Sequence, residues 1–188
     1  MRVGVFGGSF DPIHFGHLRA AEWALDAFAL AHVLLVPARR SPFKEMGFAG
    51  DEDRHAMLKL AAGENPRFGI ETCELEREPP SYTVDTLRTL AKRTPEDTFT
   101  LIVGSDAAKD IEKWREIGEI RRLCELRVLA RPGEASSPSA VAFASDVPFE
   151  GLAVSSTHIR NAVKAGRSIR YLTPESVRLY IEEKGLYK

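Results

Sequence analysis

Cysteine is scarce: Cys73 and Cys124 are the only two in 188 residues, and neither stands at a metal-ligand spacing. That excludes a disulfide framework and a thiolate metal site, and it reads as two free buried thiols in a reducing cytoplasm. An excess of basic charge is missing too. The 26 Lys and Arg against 27 Asp and Glu leave a formal net charge of -1, so no global field points to a nucleic-acid polymer as partner. No apolar run approaches bilayer length, and the first residues enter a strand without a basic region or apolar signal stretch. The expectation is a cytoplasmic protein with no membrane partner. Familiar nucleotide motifs are absent as well. Gly7-Gly8-Ser9-Phe10 has no third glycine at the dinucleotide-fold spacing, Pro37 stands where a ribose-binding acid would follow the second strand, and there is no G-x-x-x-x-G-K-[ST] loop. Hydride transfer and Walker-type ATP hydrolysis are disfavoured. No serine or cysteine nucleophile flanked by a base and an orienting group is visible either. Repeats and long linkers are also lacking, so residues 1–188 read as one domain, large enough to bury roughly 70% of its unfolded surface.

What is present concentrates in the first twenty residues. Val3, Val5 and Phe6 read as a short buried strand, Gly7 and Gly8 as a turn where backbone approaches a bulky group, and Asp11-Pro12 as a second turn. From about His14 the apolar spacing is helical through Leu18, Ala21 and Leu25. A strand, a glycine turn and a helix start make an anion site, with free backbone N–H groups and the positive end of a helix dipole. His14 and His17, three apart, project from one face of that helix start, with Gly16 between them clearing space. An imidazole suits phosphate oxygens as a donor or a cation. A lone histidine would read as core or solvated; the pair at this turn favours phosphate.

The rest of the chain alternates strands and helices. Val33–Val36 is a continuous apolar run, as in a parallel sheet covered on both faces. The order strand, helix, strand gives the expected class: α/β, a doubly wound and mainly parallel sheet with helices on both faces and a helical end. The stretch Pro37–Lys44 carries three cations past a strand, readable as a ligand loop or a solvated one. Asp51–Ala62 reads as a helix and Phe68–Leu75 as a strand. Ser81-Tyr82-Thr83 precedes a helix over Val84–Lys92, with Thr83 as its cap. Phe99–Val103 is a strand, followed by Gly104-Ser105-Asp106. There the carboxylate could accept a ribose hydroxyl or cap the next helix. Trp114 reads as part of an amphipathic helix with Ile111, Ile117, Ile120 and Leu123; core packing is the default for it, with a stacking surface as the alternative. Leu126–Leu129 is another strand, closed by Arg131-Pro132-Gly133. Glu134–Pro148, rich in Ser, Pro and Ala, reads as a flexible loop. Leu152–Val154 reads as a short strand that feeds Ser155-Ser156-Thr157 and a helix through Arg160, a second anion-binding start. A last helix begins at Thr173-Pro174, a cap followed by proline at the first helical position, and stops at Gly185.

Gly7-Gly-Ser-Phe-Asp-Pro-Ile-His-Phe-Gly-His17 and Ser155-Ser-Thr-His-Ile-Arg160 resemble the HxGH and SSTxxR motifs of the nucleotidyltransferase superfamily. Pro37–Lys44, Pro80–Thr86, Gly104–Asp106 with Lys113-Trp114, Arg131–Gly133 and Gly185–Tyr187 resemble its bacterial nicotinate-mononucleotide adenylyltransferases. The likeness covers essentially the whole chain. It implies an enzyme of NAD biosynthesis that joins ATP and nicotinate mononucleotide into nicotinate adenine dinucleotide and pyrophosphate. Mg²⁺ would bridge phosphate oxygens, and no metal site belongs to the protein itself. It further implies that His14, His17 and Arg160 are catalytic. Gly7, Gly8, Ser9, Phe10, Gly104, Asp106, Ser155, Ser156 and Thr157 join them in binding ATP, with Asp106 on the adenosine ribose and Ser156 and Arg160 on the β and γ phosphates. Lys44, Ser81, Tyr82, Thr83, Trp114 and Arg131 would hold the nicotinate nucleotide. The chain departs from many relatives at Phe43 and Arg115, where a histidine and an aromatic are common. The alternatives are a sister enzyme acting on nicotinamide mononucleotide or pantetheine phosphate, or a nucleotide sensor without turnover. A homo-oligomer is compatible with all of these.

Overall fold

A computed structural model describes residues 1–39, 48–129, 149 and 151–188. The described strands form one sheet in the order β3-β2-β1-β4-β5. They are β1 (Arg2–Gly8), β2 (His32–Pro37), β3 (Phe68–Ile70), β4 (Thr98–Gly104) and β5 (Cys124–Leu129). Every pairing is parallel: Val5 sits opposite Leu34 on one side and Leu101 on the other, and Leu101 opposite Leu126. Side chains alternate across the pleat, so Val3 and Val5 enter one core and Phe6 the other.

Two helical layers cover the two faces. On the Phe6 side lie α1 (Phe15–Ala27), α2 (Asp51–Ala62), α7 (Ser156–Lys164) and α8 (Glu175–Lys184), which bury Leu25, Met57, Ile159 and Ile181. On the Val5 side lie α4 (Thr83–Arg93) and α6 (Ile117–Leu123), which bury Leu87 and Ile120. Between them in the chain come two four-residue helices, α3 (Cys73–Glu76) and α5 (Ser105–Ala108). The strand order reverses direction between β1 and β4, and an open α/β sheet forms its ligand crevice at the carboxyl ends of such strands.

The expected class holds, and several local expectations change. The strand foreseen over Phe68–Leu75 ends at Ile70 and gives way to α3, because Glu71 turns back to accept from the Cys73 N–H at 2.8 Å. Leu152–Val154 forms no strand. Trp114 stands outside a helix, at the extended exit of a 3₁₀ turn over Ile111–Lys113, and α6 begins three residues later after a left-handed Glu116 (φ 53°). Both cysteines carry free thiols, and burial pushes each up to about 12, which makes them poor nucleophiles. No helix among the described residues is long and apolar enough to cross a membrane. The loop read over Glu134–Pro148 lies outside the described residues.

Candidate active site

The first helix start is built as anticipated. His14 is the N-cap of α1, extended at φ −150°, and its Nδ1 accepts from the His17 N–H at 3.4 Å. The two imidazoles stack with centroids 3.7 Å apart and planes 21° from parallel. Phe10 meets the His17 ring edge-on at 5.0 Å and the Phe6 ring at 5.9 Å. Phe10 is 1% exposed, so its ring orients His17. Gly16 has a related role. A Cβ there would come within 2.9 Å of His14 Nδ1 and 3.3 Å of the Val154 carbonyl; the missing side chain makes room for an imidazole. At Gly7 and Gly104, at the carboxyl ends of β1 and β4, a Cβ would meet nothing within 4 Å.

The second helix start closes onto the first. Ser155 caps α7, its Oγ accepting from the His158 N–H at 3.1 Å. The Ser156 hydroxyl donates to the Pro12 carbonyl at 2.9 Å. Arg160 Nη1 donates to the Asp11 carbonyl at 2.7 Å, and Nη2 to Thr157 Oγ1 at 3.1 Å. Thr173, expected to cap α8, instead donates its buried hydroxyl to the Ile13 carbonyl at 2.7 Å. Pro174 takes the N-cap position, and Gly185 ends the helix at φ 64°. Carbonyls 11, 12 and 13, which precede α1, are therefore held from α7 and from the approach to α8, and the two helix starts are tied together.

A second group gathers at the start of α4. Its N-cap is Tyr82, without a side-chain cap bond, and Thr83 is the first helical residue rather than the cap. The Arg115 guanidinium lies 4.8 Å from the centre of the Tyr82 ring, and Arg88 pairs with Asp85, Glu116 and Glu119. These contacts bring the Trp114 segment against Tyr82 and Asp85. Half-buried Trp114 also packs on the second core, as its default reading has it. Ser81 is buried, and its Oγ accepts from the Arg39 N–H at 3.2 Å; it shapes the loop. Lys44 and Arg131 lie outside the described residues, as does the side chain of Asp106.

The cytidylyltransferase-like family matches residues 5–162. A probable nicotinate-nucleotide adenylyltransferase from Geobacillus thermodenitrificans is 46% identical over 99% of this chain and 86% of its own length. Another from Thermus thermophilus is 45% identical over 100% of both chains. The chain belongs to the nicotinate-nucleotide adenylyltransferase family. In fold it is similar to the nicotinic acid mononucleotide adenylyltransferase of Plasmodium falciparum, solved in complex with NaAD: TM-score 0.82 at 21% identity, covering 99% of this chain and 97% of that one.

Within that family frame, three residues that the sequence reading left aside are prominent. Arg54 is 2% exposed; it donates to the Ser9 carbonyl at 2.7 Å, to Asp51 at 2.5 Å and to the Arg39 carbonyl at 3.4 Å. Asp11, 3% exposed, accepts from the Phe48 and Ala49 N–H groups. Glu74 is buried beneath Ser81, and the Thr86 hydroxyl donates to it at 2.5 Å while accepting from Arg77 at 2.8 Å. Arg54 had a readable signal, an arginine at the head of the stripe Arg54, Met57, Leu58, Ala61. The other two depend on contacts distant in the chain.

Burial pushes the Glu74 carboxyl up from its ordinary value, against the Thr86 hydrogen bond, the Arg77 charge and Ser81. A carboxyl raised in the folded state contributes stability that is fully present below its unfolded value and is lost as pH rises through its folded one. The melting temperature of the wild type should therefore fall relative to Glu74→Gln between pH 4 and pH 8. A difference between the two proteins that stays flat with pH would contradict this.

Proposed function

We propose that the chain transfers AMP from ATP to nicotinate mononucleotide, with nicotinate adenine dinucleotide and pyrophosphate as products. A phosphate oxygen of the acceptor attacks the α-phosphorus in line, the α–β bridging bond breaks, and its electron pair leaves on pyrophosphate. The single observation that carries this reading is the convergence of two helix starts, fixed by Arg160 on Asp11 and Ser156 on Pro12. Both reactants are polyanions, so the barrier is charge repulsion and placement, and positioned donors and cations are the appropriate remedy. His14 and His17 act on the α-phosphate charge as it develops. Arg160 and the backbone N–H groups at the start of α7 hold the β and γ phosphates. Gly7 and Gly104 leave space for the nucleotide over the strand ends, and Asp106 takes the ribose.

No cluster of three or more His, Cys, Asp or Glu among the described residues is arranged to hold a metal. The site's donors are cations and N–H groups, which fit a Mg²⁺ carried on the triphosphate oxygens. When bound there it supplies neutralisation of phosphate charge.

On the acceptor side, Trp114 offers a stacking face for the pyridine ring, and the N–H groups at the start of α4 favour a carboxylate over a carboxamide. Trp114→Ala should raise the KM for nicotinate mononucleotide about 10-fold, the equivalent of ~1.4 kcal/mol of stacking, and leave the KM for ATP within about 2-fold. Equal effects on both would give Trp114 a purely structural role. The reading as a whole is tested by supplying ATP and Mg²⁺ with nicotinate mononucleotide, nicotinamide mononucleotide and pantetheine phosphate in parallel. The expected result is dinucleotide from the first acceptor at the highest kcat/KM. A preference for either other acceptor moves the chain to a sister activity, and ATP binding without pyrophosphate release from any acceptor makes it a sensor.

A further inference from the structure

Tyr187 lies past α8 in the left-handed region at φ 66°, which costs a non-glycine residue roughly 1 kcal/mol. The ring is half-buried, and its hydroxyl donates to Asp11 Oδ1 at 2.7 Å. Asp11 is the only carboxylate in the glycine-rich turn that opens the chain. Its remaining partners among the described residues are two backbone groups: Phe48 N–H on Oδ2 at 2.7 Å and Ala49 N–H on Oδ1 at 3.2 Å. A carboxylate has about four acceptor positions, so these three donors nearly fill it.

Arg160 is the neighbour with most to gain from a vacancy there. Its guanidinium already reaches the carbonyl of the same residue, at 2.7 Å, and lies 4.2 Å from the centre of the exposed Phe48 ring. No ion pair joins it to the Asp11 carboxylate among the described residues. The Tyr187 hydroxyl stands in the same electrostatic neighbourhood. Burial and the Asp11 charge push the phenol far above its ordinary range, while Arg160 and Arg54 pull the other way. It therefore remains a donor at any working pH.

We propose that Tyr187 is a positioning residue for Arg160: by filling the Asp11 carboxylate, its hydroxyl keeps that carboxylate from capturing the guanidinium, which stays turned toward the ATP phosphates. The proposal rests on the reading of Arg160 as a phosphate ligand. An arginine in reach of an under-supplied, buried carboxylate pairs with it in bidentate fashion, and a guanidinium engaged in that way competes with the triphosphate.

A double-mutant cycle separates this from a general loosening of the fold. Titration calorimetry with α,β-methylene-ATP and Mg²⁺ would be run on the wild type, Tyr187→Phe, Arg160→Ala and the double variant. Tyr187→Phe keeps the ring and removes only the donor. Binding should weaken about 5- to 10-fold in the wild-type background and less than about 2-fold once Arg160 is absent. An equal loss in both backgrounds would make Tyr187 merely structural and overturn the proposal; so would an unchanged dissociation constant in Tyr187→Phe. The readout is independent of turnover. A wild type that binds the analogue but forms no dinucleotide removes the proposed activity and leaves the cycle interpretable.

Discussion

His17→Ala lowers kcat by about 10²- to 10³-fold while changing the KM for ATP by less than about 10-fold. The magnitude is that of deleting one preorganised donor aimed at transition-state charge. The structure gives His17 that preorganisation. Its ring is clamped between the His14 imidazole at 3.7 Å and the Phe10 edge at 5.0 Å, with Phe6 at 6.2 Å. A ring so confined needs no reorientation as charge builds on the α-phosphate, so its loss falls on kcat more than on ground-state binding. Steady-state kinetics with both substrates varied measure the split. Turnover within about 3-fold of wild type would remove His17 from the chemistry and leave the pair as packing.

The largest expected effect on stability belongs to Arg54→Met. Arg54 lies nearly water-free inside α2 and joins three segments: the Ser9 carbonyl of the glycine turn, the Arg39 carbonyl just past β2, and Asp51 in its own helix. Met matches the aliphatic stem, so the main loss is the hydrogen bonds, and two of the abandoned acceptors are backbone carbonyls. Hydrogen bonds to a charged group are worth ~1.5–3 kcal/mol each, and Asp51, 40% exposed, can turn to solvent. A total of about 3 kcal/mol follows, which lowers the melting temperature of a chain this size by roughly 6–12 °C. Differential scanning calorimetry measures it. A shift smaller than about 2 °C would mean that the three segments are held by the core alone, with Arg54 a passenger.

Arg54 also marks the limit of what the chain disclosed in linear form. Strands and caps follow from neighbours in sequence, so the run Val33–Val36, the helix over Asp51–Ala62 and the glycine stop at Gly185 were all legible. The two helix starts capped by His14 and Ser155 were legible for the same reason. Their meeting followed only from the family resemblance and not from local pattern, because it depends on Arg160 reaching residue 11 across 149 positions and Ser156 reaching residue 12 across 144. Thr83 and Thr173 illustrate the other source of error. A threonine beside a helix start favours the cap position, but Tyr82 occupies one cap, and the hydroxyl of Thr173 is drawn to the Ile13 carbonyl. Trp114 was read into a helix because Ile111, Ile117 and Ile120 keep helical spacing. That spacing survives, but the left-handed Glu116 breaks the helix between them. Phe10, expected from its motif to contact the nucleotide, also packs edge-on against His17, a contact that the linear sequence did not disclose.

The claim on which the rest depends is that one triphosphate lies between both helix starts. A crystal structure with α,β-methylene-ATP and Mg²⁺ measures this directly. The account predicts phosphate oxygens within hydrogen-bond distance of His14 or His17 at the start of α1 and also of Arg160 at the start of α7. Phosphates touching only one of the two starts would contradict it. So would nucleotide bound in the 380 Å³ cleft at the opposite end of the sheet, among Arg2, Arg121 and Arg122.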